Sequence, residues 1–246
     1  MAQWKYVLLG GSGGIGTQLC HLLKSESTYI VVGSRSEAKL KELSKAIPGI
    51  ETFPLDACDS TQVEAFVQFA DERPGTLVGA ANLVGSILLK PITATSEREF
   101  KSTIETNLFS SFYFSKSIIK RMLKNSQGGS ILHFTSAVAL KGVANHEAIA
   151  AAKAGIVGLA QSSAATFASK NIRVNCIAPG LVDTPLAHFL TSNSNALKTS
   201  TAMHPLGKIG NPLQVARLAA FLLHPDNDWI TGQVFPIDGG LSSVKN

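Results

Sequence analysis

Along this chain, short runs of consecutive apolar residues alternate with longer stretches whose apolar positions recur every three or four residues. Strands covered on both faces of a sheet produce the first pattern, and amphipathic helices the second. Strands are expected at residues 6–9, 29–33, 52–55, 77–82, 129–136 and 172–177. Helices are expected at 16–23, 37–47, 61–70, 96–107, 109–123 and 146–167. Pro48-Gly49 ends the second helix, Asp59-Ser60 opens the third, and Pro179-Gly180 stops the sixth strand. Strands that alternate with helices imply βαβ units and hence a parallel sheet. The expectation is an α/β fold, a Rossmann-like doubly wound parallel sheet, as a single domain over residues 1–246. Residues 183–211, which include TSNSNALKTSTA, are polar and the least regular. They read either as a lid over a substrate or as a plain surface loop.

Composition narrows the class. The 246 residues are 45% hydrophobic and 16% charged, which is enough apolar matter for one large core and too much for a disordered chain. The net charge of +5 comes from scattered Lys and Arg with no basic run beside aromatics, so nucleic acid is not an expected partner. The excess can help attract an anionic ligand. Cys20, Cys58 and Cys176 are far apart, odd in number and without metal-ligand spacing. They read as reduced thiols of a cytoplasmic protein, with no metal site. Neither a signal-peptide core nor an apolar run of membrane-spanning length is read from the sequence.

Chemistry enters at VLLGGSGGIG. Gly11, Gly13 and Gly16 match GxGxxG, between a strand and a helix in the first βαβ unit. Glycines let backbone approach a pyrophosphate, and the helix N-terminus offers unpaired N–H groups and a favourable dipole. The second strand ends in Gly33-Ser34-Arg35-Ser36, without the carboxylate that would bind a ribose 2′-hydroxyl. Ser34 can donate to a 2′-phosphate and Arg35 can clamp it, which favours NADP(H). Asp56 can meet the adenine edge or cap the next turn.

Taken together, these segments resemble the classical short-chain dehydrogenase/reductase family over nearly the whole chain. The family's TGxxxGxG stands as Leu9-Gly10…Gly14-Ile15-Gly16, and its NNAG as Asn82-Leu83-Val84-Gly85. NIRVNCIAPGLVDTPL (171–186) and ITGQVFPIDGG (230–240) are similar to further family segments. The resemblance implies six or seven strands, a homodimer or homotetramer, and a small-molecule substrate. It also implies a cofactor site made of Gly10, Ser12, Gly14, Ile15, Gly16, Ser34, Arg35, Asp56, Asn82, Gly85, Lys153, Pro179, Gly180, Val182 and Thr184. Leu9 and Leu83 depart from the family's Thr and Asn; an apolar contact can replace a polar link when both partners are lost together.

The same resemblance assigns catalysis to Ser136, which would hold the substrate oxygen. Lys153 would bind the nicotinamide ribose, and Asn107 would support a water chain to it. The family's proton donor is a tyrosine thirteen residues after the serine and four before the lysine. Both counts fall on Ile149 in HEAIAAAK. Isoleucine has no ionisable atom, and a positioned acid is worth roughly 10² to 10⁴ in rate, or about 3 to 5 kcal/mol. His146 shares a helix face with Ile149 and Lys153, and its spacing from Lys153 is similar to the Tyr-x6-Lys of enoyl reductases. It reads as a substitute acid or as a solvent-facing residue at the helix start. Water held by Ser136 and Lys153 is a third source. The chain is then an NADP(H)-dependent oxidoreductase for carbonyl or conjugated substrates, or an NADP(H)-binding sensor or partner subunit without turnover.

Overall fold

The computed structural model describes residues 4–244, so residues 1–3 and 245–246 of the expected domain lie outside the described residues. The first half of the fold holds β1 (Trp4–Leu9), α1 (Gly14–Leu23), β2 (Thr28–Ser34), α2 (Glu37–Ala46), β3 (Ile50–Pro54), α3 (Ser60–Asp71) and β4 (Thr76–Asn82). Then come α4 (Glu97–Ile104), α5 (Ser110–Met122), β5 (Gly129–Phe134), α6 (Glu147–Phe167) and β6 (Ile172–Pro179). The chain closes with α7 (His188–Thr191), α8 (Ser194–Met203), α9 (Pro212–Leu223) and β7 (Val234–Ile237). All strand pairs are parallel, in the order β3-β2-β1-β4-β5-β6-β7. The order reverses between β1 and β4, and ligands of open parallel sheets sit at the carboxyl ends of such a switch point.

Alternation along each strand builds two cores. Tyr6 and Leu8 of β1 point into one, with Leu19 of α1 and Val215 and Leu222 of α9. Val7 and Leu9 point into the other, with Phe66 of α3, Phe114 of α5 and Ile156 of α6. β1, β2 and β4 therefore read as nearly continuous apolar runs, because both of their faces are covered, whereas the outer strands β3 and β7 are partly exposed.

Four local expectations are corrected. The helices expected at 96–107 and 109–123 are not separate: Glu105–Phe109 forms a π-turn that joins α4 to α5. The strand expected at 129–136 ends at Phe134, because Thr135 turns away while its N–H still donates to Ile177 O at 2.8 Å. The irregular stretch 183–211 contains α7 and α8; Asn193 caps α8 through the Ala196 N–H, a polar signal that hid a helix. The expectation that no apolar run reaches membrane-spanning length is also corrected, by length and composition alone, since an 18-residue window of the helix Glu147–Lys170 has a mean hydropathy of 1.2. Here it packs on β6 and carries Lys153. Alanine, which supports a helix without adding a bulky apolar side chain, accounts for its inconspicuous sequence.

Candidate active site

The glycine turn follows β1 directly. Gly10 has φ +77°, and a Cβ there would fall 2.8 Å from the Val84 nitrogen. A Cβ on Gly16 would fall 2.5 Å from Gly11 O, so α1 starts tight against the turn. Gly13 is the N-cap of α1 and supplies no side-chain cap, which leaves the first helical N–H groups for an anion. Beside this turn the Ser12 hydroxyl donates to Ser34 Oγ at 2.7 Å, and Arg35 is exposed next to it. Those three residues converge where the sequence suggests a phosphate on the ribose. Asp56 serves its own turn: its carboxylate accepts from the Cys58 N–H at 2.9 Å.

Asn82 is fully buried. Its side-chain NH₂ donates to Ser110 and Ser111 Oγ at 3.2 and 3.1 Å, while its carbonyl accepts from the Val84 N–H at 3.0 Å. It therefore shapes the 83–85 turn from behind. The link that Leu9 and Leu83 lack in their side chains is made by backbone, with the Leu83 N–H donating to Leu9 O at 2.8 Å. The Leu9 side chain is wholly buried in the second core.

One chamber of about 300 Å³ opens at the carboxyl ends of β1, β4, β5 and β6. Its lining includes the turn residues Gly10, Gly14, Ile15 and Gly16, then Gly85, Ser136, His146, Ile149 and Lys153, and finally Pro179, Gly180, Val182 and Thr184. Ser12, Ser34, Arg35, Asp56, Asn82 and Asn107 lie outside this lining. Asn107 is one layer behind, in the π-turn, where its carbonyl accepts from the Ser86 N–H at 3.1 Å and its NH₂ donates to Thr103 O at 2.8 Å. Gly85 separates it from the lysine: a Cβ there would fall 3.2 Å from Asn107 Oδ1 and 3.3 Å from Lys153 Nζ.

Lys153 is buried and donates to Phe134 O at 2.8 Å. Burial brings its ammonium down to about 8. Behind it lie His133 and Cys176, register partners on β5 and β6. Burial lowers His133 to about 4, helped by the lysine charge, and pushes the Cys176 thiol up to about 12, so neither supplies a counter-charge at neutral pH. No Asp or Glu lines the chamber among the described residues. Ser136 follows β5 in extended conformation and takes only a long 3.3 Å bond from the Val138 N–H, which leaves its O–H able to donate inward.

Ile149 is 4% exposed and lines the same chamber as Ser136 and Lys153. None of the three tyrosines lines the chamber. Tyr6 is buried in β1 with its phenol pushed up to about 12, Tyr29 hydrogen-bonds Glu51, and Tyr113 packs against Phe109 and Phe112. His146 is half-buried at the N-cap of α6. Its Nδ1 lies 2.7 Å from Ala144 O, so Nδ1 carries the proton and Nε2 is left as the reactive nitrogen. Glu147, exposed in the first turn, sits where it favours the helix dipole.

Residues absent from the sequence reading complete the chamber. Ile87, Leu89, Val138, Leu190, Met203 and Leu241 make its outer part apolar, and His204 closes one side. They come from separate loops and the short helices α7 and α8, so no period in the sequence groups them.

A family model described as enoyl-(acyl carrier protein) reductase matches residues 10–242. A 3-oxoacyl-[acyl-carrier-protein] reductase of Chlamydia trachomatis is 34% identical over 241 residues, covering 96% of both chains. Carbonyl reductase family member 4 of Danio rerio is 37% identical over 242 residues, again covering 96% of each. Among solved structures, ElxO with NADP bound superposes with a TM-score of 0.91 at 29% identity, over 99% of this chain and 100% of that one. A Tyr-to-Phe variant of ElxO with NADPH bound matches to the same extent. With a glycine turn at the switch point and a serine and buried lysine at the ends of adjoining elements, the chain belongs to the short-chain dehydrogenase/reductase family.

Proposed function

We propose that this chain is an NADP(H)-dependent oxidoreductase that reduces apolar carbonyl compounds, conjugated ones above all, in a site that works without the family's phenol. The observation that carries this reading is that Ser136, Ile149 and Lys153 share one apolar chamber continuous with the glycine turn. The cradle fits the cofactor. The tight turn held by Gly10 and Gly16 and the uncapped start of α1 at Gly13 suit a pyrophosphate, Ser12, Ser34 and Arg35 suit a 2′-phosphate, and Val182 presents backbone to the nicotinamide end. The adenine edge falls to the Asp56 carboxylate oxygen that the Cys58 N–H does not use. NADPH, when bound, supplies a hydride.

The rest is done by the chain's own residues. Ser136 donates to the substrate oxygen, the Lys153 ammonium adds the chamber's positive charge, and Asn107 braces the floor through Ser86. In its imidazolium form, with Nδ1 still bonded to Ala144 O, His146 delivers the Nε2 proton and is left as the neutral Nδ1–H tautomer. Reduction of an isolated ketone leaves an alkoxide, which demands an acid at once. Addition to a conjugated carbon leaves an enolate, a much weaker base that hydrogen bonds from Ser136 and Lys153 can hold until water protonates it. Names of the relatives, which include enoyl and 3-oxoacyl reductases, support a substrate of this kind. The lid is α7 and α8, whose Leu190 and Met203 close the apolar end. Free thiols at Cys20, Cys58 and Cys176 suit the cytoplasm. Exposed Phe109, Phe112 and Leu123, on α5 and at its two caps, suit a homodimer or homotetramer.

The experiment is NADPH oxidation against ketones, quinones and enones. The expected result is turnover of enones well above that of a Lys153→Met, Ser136→Ala double variant. Ile149 itself favours a second reading, a cofactor-binding partner subunit or sensor. Micromolar NADPH binding by calorimetry with no turnover of any substrate would establish that reading and defeat the first.

A further inference from the structure

His204 stands outside every family segment quoted above, yet it is one of the most constrained side chains near the chamber. It follows the last turn of α8 and is 4% exposed. Its Nε2 accepts the Leu181 N–H at 3.1 Å, and its Nδ1 lies 2.6 Å from Ser200 O. A backbone N–H can only donate, so Nε2 is the acceptor and Nδ1 carries the proton that goes to Ser200 O. One neutral imidazole in one tautomer thus spans from α8 to the first residues after β6.

Three observations show that the surroundings are built around it. A Cβ on Gly180 would fall 2.5 Å from His204 Nε2, so glycine is the residue this ring admits there. The Leu206 N–H donates to Gly239 O at 3.1 Å and ties the same segment to the exit of β7. Asp238 also borders Gly180, but its carboxylate is committed to the Gly240 and Ser242 N–H groups and the Ser242 hydroxyl. The ring therefore keeps Leu181 and Ser200 as its partners.

What the ring holds is the shelf at the nicotinamide end. Leu181 O accepts the Gly210 N–H at 2.9 Å and the Asp183 N–H donates to Gly210 O at 2.9 Å. In that parallel bridge the N–H and C=O of Val182 face the other way, and Val182 lines the chamber. We infer that His204 is a positioning residue that couples α8, over the substrate end, to the Leu181–Val182 shelf under the nicotinamide end. It rests on the reading that the chamber takes both ligands. Through this link, closing α8 over a substrate tightens the cofactor seat, and by linkage the reverse.

Two conservative variants separate the two halves of the link. His204→Gln can keep an acceptor near the Nε2 position, and His204→Asn can keep a donor near the Nδ1 position; His204→Ala keeps neither. Each is made in the full chain and compared by hydrogen exchange without ligand, by NADPH dissociation constant, and by KM and kcat for an accepted enone. The Ala variant is expected to speed exchange at Leu181–Asp183 and in α8 together, and to weaken NADPH about tenfold, from the unpaired Leu181 N–H. The Gln variant is expected to restore slow exchange at Leu181–Asp183 and NADPH affinity, while α8 stays fast and KM stays raised. The Asn variant is expected to do the opposite, with α8 protected and NADPH weak. If Gln and Asn fail alike in every readout, or if Ala matches the unaltered protein, the inference is overturned. A protein that binds no NADPH would defeat the functional reading instead, and the exchange pattern would still decide on the link.

Discussion

Replacing Ile149 with Tyr restores the missing acid, and its effect can be worked from the geometry. Ile149 lies one helical turn before Lys153 on the same face of α6, which puts their Cβ atoms about 5–6 Å apart. An ammonium about 6 Å from a phenolate, at an effective dielectric constant of about 20, favours the ionised phenol by about 3 kcal/mol. That brings an ordinary phenol of about 10 down by about two pH units, against the upward push of burial. The introduced phenol then titrates close to the pH at which it donates well. Adding a positioned acid is worth roughly 10² to 10⁴. The assay is kcat/KM for an unactivated ketone and for an enone, from pH 6.5 to 9. The ketone rate is expected to rise at least about 100-fold, with a high-pH decline as the acid ionises, and the enone rate much less, because an enolate needs no prompt acid. A folded variant that binds NADPH as the parent does and shows no gain on the ketone would refute the placement of Ser136, Lys153 and position 149 around one reacting atom.

Other outcomes follow from the same structure. Lys153→Met is expected to stabilise the fold at pH 7 while abolishing turnover, because an ammonium brought from 10.5 to about 8 by burial destabilises the native state. The unfolded chain binds the extra proton between those values, so the penalty, up to about 3 kcal/mol, is full below pH 8 and relieved as pH rises to 10.5. Urea unfolding of both proteins at pH 7 and 10.5 checks this, and the variant's advantage should vanish at the higher pH. Arg35→Ala is expected to weaken NADPH about 10- to 100-fold with NADH unchanged, measured by calorimetry. Gly16→Ala sets a Cβ 2.5 Å from Gly11 O and is expected to lose about 1–3 kcal/mol of stability together with NADPH binding. Phe112→Glu is expected to dissociate the proposed homo-oligomer, read as a drop in mass by light scattering.

Much of this protein is legible in one dimension, for reasons that are local. A parallel strand covered on both faces must be a short apolar run, so β1, β2, β4 and β6 announce themselves. The glycines at 10 and 16 answer to the backbone of their own turn and of residues 83–84, so their spacing carries a meaning that survives without coordinates, whereas Gly14 answers to the distant Thr184 and Pro185. Ile149 is likewise fixed by two counts along the chain. Other features depend on partners far away in sequence. The partly exposed β7 lacks a fully apolar run, and α8 lies within a polar Ser/Thr/Asn stretch. Asn82 reads as a cofactor residue and Asn107 as the support of a water chain; that their side-chain carbonyls also accept the Val84 and Ser86 N–H groups is a contact only the meeting of β4 with the α4–α5 helix could reveal. The lowered Lys153 arises from the sheet, π-turn and loop that bury it. The role of His204 depends on α8 folding back onto the exit of β6, a contact between residues 23 positions apart that no local pattern encodes. Sequence determined the layering of strands and helices, the glycine turn after β1 and the isoleucine at position 149, because each is written in neighbouring residues. Tertiary structure alone decided which side chains share the chamber, what charge they carry and what holds its walls, because burial and hydrogen bonding are properties of elements brought together.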